Sequence, residues 1–73
     1  MTRKLLIRDA DHVRHVNDIA CRQNFDVWAH GENMMLDAKS LLGLYALAGQ
    51  TVHIVVEDSI SDKTLDRLVA AMG

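Results

Sequence analysis

The apolar residues of this chain fall into segments whose period switches between two and three-to-four. Near the start, "RKLLIR" (residues 3–8) sets Leu5, Leu6 and Ile7 between basic residues, and the cap candidates Asp9 and Asp11 follow. A short apolar run ahead of acidic caps predicts a buried strand leading into a helix. From Asp11 to Gln23 the residues Val13, Val16, Ile19 and Ala20 recur at three- and four-residue steps, which puts them on one helical face. "FDVWAH" (25–30) then alternates Phe25, Val27 and Ala29 with Asp26, Trp28 and His30, a strand pattern. "HGEN" supplies a glycine suited to a tight hairpin turn, and "MMLD" (34–37) is the returning strand. A second helix is expected over 40–48 with Gly49 as its stop, and the β-branched "TVHIVVE" (51–57) as a fourth strand. "SISD" (59–62) reads as a capping box that opens a last helix with Leu65, Leu68, Val69 and Met72 on its core face. The order is β-α-β-β-α-β-α, an α+β arrangement that favours helices on one face of a mixed or antiparallel sheet.

Composition narrows the function classes. With 73 residues there is room for one domain and no separate catalytic unit, so residues 1–73 are expected to share one core. A formal charge of -2 supplies no electrostatic footprint for nucleic acid or an anionic membrane, which leaves proteins and small molecules as partners. No apolar run approaches a membrane span, and the N-terminal one is too short for a secretory signal. The single cysteine, Cys21, has no partner for an internal disulfide and no metal-binding cysteine or histidine around it. Both points fit a reducing cytoplasm, with Cys21 expected as a small buried residue on its helix.

Ser40 stands directly before Leu41 and Leu42. As an N-cap its hydroxyl can satisfy a free helix amide, worth about 1 kcal/mol. The helix that follows can bury Leu41, Leu44 or Tyr45, and Ala48, or alternatively Leu44 and Leu47. Either choice leaves at least one leucine near the surface, where an apolar patch beside a phosphorylatable cap suits protein docking.

"DAKSLLGLYAL" (37–47), followed closely by "TVHIVVED", resembles the regulatory-serine segment of HPr, the histidine-containing phosphocarrier of the bacterial sugar phosphotransferase system. The element order is also similar to that family's, from Lys4 to Met72. The resemblance implies an HPr-like open-faced β-sandwich, three helices on one face of a four-stranded, mainly antiparallel sheet. It also implies cytoplasmic work without a cofactor, and partners that are an enzyme I-like phosphoryl donor and acceptor or regulatory proteins. Ser40 matches the serine that a regulatory kinase phosphorylates, and Leu41, Leu42 and Tyr45 lie on the partner-binding helix surface.

In the family the phosphoryl group rides on a histidine at the start of the first helix, in a glycine-leucine-histidine-any-arginine-proline motif. "DHVRH" is the counterpart here: His12 would be the acceptor and Arg14 the arginine two residues on. A carrier histidine needs a free ring nitrogen as nucleophile, and then a helix start and an arginine to hold the phosphoryl dianion. Asp11 replaces the apolar residue before the histidine, His15 replaces the proline, and the approach loop from Ile7 is shorter than the family's. Negative charge from Asp11 beside Asp9 opposes transfer. Two functions therefore stand: a phosphocarrier at most, with no self-contained catalytic site, or a regulatory, protein-binding module without transfer. For His12 the second reading expects an exposed polar residue of the first turn.

The remaining histidines offer little conventional chemistry. His12 and His15 have a spacing that two metal ligands on a helix can use, but no third ligand other than carboxylates lies nearby, so no metal site is expected. His30 and His53 fall on different strands and read as solvent-facing or satisfied strand residues.

Overall fold

A computed structural model describes residues 1–73. Its elements are β1 (Thr2–Leu6), α1 (Ala10–Cys21), β2 (Trp28–His30), β3 (Met35–Asp37), α2 (Leu41–Tyr45), β4 (Thr51–Val55) and α3 (Asp62–Met72). The order β-α-β-β-α-β-α is the one the periodicity predicts. The strands form one sheet in the order β1-β4-β2-β3, antiparallel throughout.

Strand alternation divides the sheet into two unlike faces. Leu5, Ala29, Val52 and Ile54 point into a core of 16 buried residues, where they meet Val13, Val16 and Ala20 from α1, Leu44 from α2, and Leu65, Leu68 and Met72 from α3. The opposite face is open. One row across it runs Lys4, His53, His30, Met35, all four exposed and each paired in register with the next. Arg3 ties β1 to α3 through Asp62 at 3.0 Å and Asp66 at 2.9 Å.

Several local expectations change. The strand expected from Phe25 begins only at Trp28, the register partner of Val55, where β4 ends. The cap of α3 is Ser61 rather than Ser59: Ser61 Oγ accepts from the Thr64 N–H at 3.1 Å. The second helix is shorter than expected and ends at Tyr45, after which turns lead to Gly49 at φ +84°. Cys21 is exposed, not buried. It sits one residue, about 100° of helical rotation, beyond the buried Ala20.

Two glycines are required by geometry. Gly49 adopts a left-handed conformation that costs other residues roughly 1–2 kcal/mol. Gly31 closes the hairpin by donating to Met34 O at 2.8 Å, and a Cβ there would lie 2.6 Å from Leu47 Cδ2.

Candidate functional site

The first turn of α1 is built around the Asp9 cap. Its extended backbone leaves the side chain free to turn back, and Oδ1 accepts the His12 N–H at 2.8 Å. His12 is thereby fixed in the first turn, where the sequence places it. Its side chain, though, is not an exposed polar group: it is 4% exposed, on the same face as Val16 and Ala20.

Both ring nitrogens of His12 are occupied. Nδ1 accepts from the Arg8 N–H at 3.0 Å, and Nε2 lies 2.6 Å from Met72 O. A carbonyl only accepts, so Nε2 carries the proton and Nδ1 does not; one neutral tautomer satisfies both partners. One turn on, His15 repeats half of this arrangement, its Nε2 lying 2.6 Å from Ala71 O. The two rings stack at 6.4 Å between centroids. α3 has no basic residue in its last turn, so these imidazoles from α1 serve carbonyls that the end of α3 would otherwise leave unpaired.

Arg14 faces away from this cluster, toward α2. Nη1 donates to the Tyr45 hydroxyl at 3.2 Å, and Nη2 pairs with Asp11. The Tyr45 hydroxyl first, and the Asp11 charge with it, hold the guanidinium above its ordinary pKa, so it stays cationic. Arg14 thus joins the first turn of α1 to α2.

Ser40 caps α2, accepting the Gly43 N–H at the long distance of 3.4 Å. Of the two burial schemes left open by the sequence, Leu44 and Leu47 is the one realised. Leu41 is 37% exposed and Leu42 84%. Tyr45 is half-buried. One surface cleft lies between α1 and α3 and includes Arg22 and Arg67; another, beside the β2–β3 turn, includes Glu32 and Gln50. Neither contains His12, Arg14 or Ser40, so no enclosed substrate site surrounds the candidate acceptor.

Sequence reasoning missed the contribution of Ala71 and Met72. Their role is made by carbonyl oxygens, which carry no side-chain signature. The burial of His12 did have a signal: residues 12, 16 and 20 stand at four-residue steps on the core face. No protein-family model matches the chain, and no curated protein matches it. No helix is long and apolar enough to cross a membrane.

Proposed function

We propose that this chain is an HPr-like protein-binding module that passes no phosphoryl group, docking a partner through the exposed leucines of α2 and controlled at Ser40. The observation that carries the reading is the state of His12. A nucleophilic imidazole must present a free lone pair to the donor, whereas this ring is buried and uses one nitrogen as acceptor and the other as donor within the fold. Asp9 adds a carboxylate on an amide of the helix start, where a carrier would hold its phosphate.

Leu41 and Leu42 support the docking half. A leucine that is 84% exposed contributes little to this core, and the burial of Leu44 and Leu47 leaves it free for a partner. The partner is a folded protein with an apolar hollow. Phosphorylation of Ser40 would add about -1.5 to -2 charges at the edge of that contact, disfavouring apolar docking while leaving the sheet and core untouched. Such switching belongs in the cytoplasm, where an exposed thiol such as Cys21 stays reduced.

The carrier reading retains one favourable observation, the place of His12 in the first turn of α1. It requires the Arg8 bond to be released before Nδ1 can attack, or the Met72 bond before Nε2 can. Incubation with phosphoenolpyruvate and an enzyme I, followed by mass spectrometry under alkaline conditions that preserve phosphoramidates, separates the two. The expected result is an unmodified protein. An adduct lost in His12→Ala would overturn the proposal. In parallel, a partner captured by wild type should be lost from both Leu42→Asp and Ser40→Asp; equal capture by all three would remove the switch surface.

A further inference from the structure

We infer that the open face of the sheet carries a binding site for a late first-row divalent metal ion, copper(II) above all, formed by His30 and His53. The two are direct register partners on the antiparallel pair β2 and β4, and both are exposed. Side chains directly opposite one another on an antiparallel pair leave the same face with Cβ atoms about 4.5–5.5 Å apart. Two imidazoles so placed can turn their ring nitrogens onto one ion and leave the other coordination positions to water. Neither ring has a hydrogen bond to give up, in contrast with His12 and His15, whose Nε2 atoms are held by carbonyls.

The neighbours in the row shape the preference. Met35 is the register partner of His30 on β3, is 59% exposed, and brings a thioether to the same face. Copper(II) heads the affinity order for divalent ions at imidazole nitrogen, and the thioether, a softer donor, would favour the reduced copper(I) form of the same metal. On the far side Lys4 is the register partner of His53. Its ammonium opposes a bound cation, but its flexible stem can carry the charge off the row. The site lies on the face opposite the helices and is independent of any docking through α2.

An ion held by β2 and β4 together should stabilise the folded state, because the two ligands meet only when the strands pair. The test is titration of the Cys21→Ser protein, which removes the exposed thiol, with copper(II) alone at neutral pH in a non-coordinating buffer. Electron paramagnetic resonance should report two equivalent imidazole nitrogens, and the melting temperature should rise with metal. His30→Ala or His53→Ala turns a chelate into a single contact and should weaken binding on the order of 100-fold. Both positions are exposed, so the metal-free melting temperature should barely move. His15→Ala should bind as the parent does, and Lys4→Ala should bind more tightly. Undiminished affinity in His30→Ala, a one-nitrogen spectrum in the parent, or weaker binding in Lys4→Ala would each overturn the site.

Discussion

Replacing His12 by alanine removes a ring that is 4% exposed and bonded at both nitrogens, so its cost follows from the structure. Each neutral hydrogen bond contributes about 1 kcal/mol net, and a buried acceptor left unpaired costs about 1–3 kcal/mol. The acceptor in question is Met72 O, at the end of a helix whose Met72 side chain is fully buried. Arg8, by contrast, is exposed, and its N–H can turn to water. Adding the lost packing gives about 3 kcal/mol, which for a domain of this size lowers the melting temperature by roughly 12–24 °C. His12→Gln keeps an N–H donor on a side chain of similar reach and should cost only about 1 kcal/mol. Urea unfolding followed by far-ultraviolet circular dichroism at pH 7.5 measures both, with unchanged m-values as the check that only stability has moved. If His12→Ala falls within about 0.5 kcal/mol of wild type, the ring is not the tie between α1 and α3, and the main support for a module without transfer is gone.

Other sites give simpler expectations. Gly49→Ala places a side chain at φ +84° and should cost about 1 kcal/mol by thermal denaturation even though no neighbour is within 4 Å; a neutral result would mean that the turn is reshaped. Gly31→Ala drives a Cβ against the fully buried Leu47 and should cost about 1–3 kcal/mol on the same measurement. Leu42→Asp, at a side chain 84% exposed, should stay within about 0.5 kcal/mol of wild-type stability, so that any loss of partner binding reports the surface and not the fold.

The architecture was legible because it rests on periodicity. Val13, Val16 and Ala20, or Val52 and Ile54, announce their faces through spacing alone, and the element order follows from where the period changes. Boundaries were less legible, since Phe25 carries the same alternation as Val27 and Ala29, while the pairing stops where β4 ends, at Val55 opposite Trp28. In the candidate site, the places of His12 and Ser40 at the starts of their helices were readable from cap residues. What His12 does there was not, because its partner lies 60 residues away and is a main-chain oxygen. The juxtaposition of His30 and His53 was hidden for a related reason: register between distant strands is set by the whole sheet, not by either strand.

The strand order has a consequence for the chain while it is being made. β1 is synthesised first, yet its one partner is β4, with Leu6 opposite Thr51 and Thr2 opposite Val55. At roughly 5–20 residues per second, a ribosome needs on the order of seconds to deliver that partner. Through that interval Leu5, Leu6 and Ile7 are an unpaired apolar segment of the kind that seeks other chains. Arg3, Lys4 and Arg8 bracket it. Flanking charges of this sort act as gatekeepers against intermolecular strand pairing, so the basic residues around β1 protect the nascent chain before Arg3 has an α3 to grip.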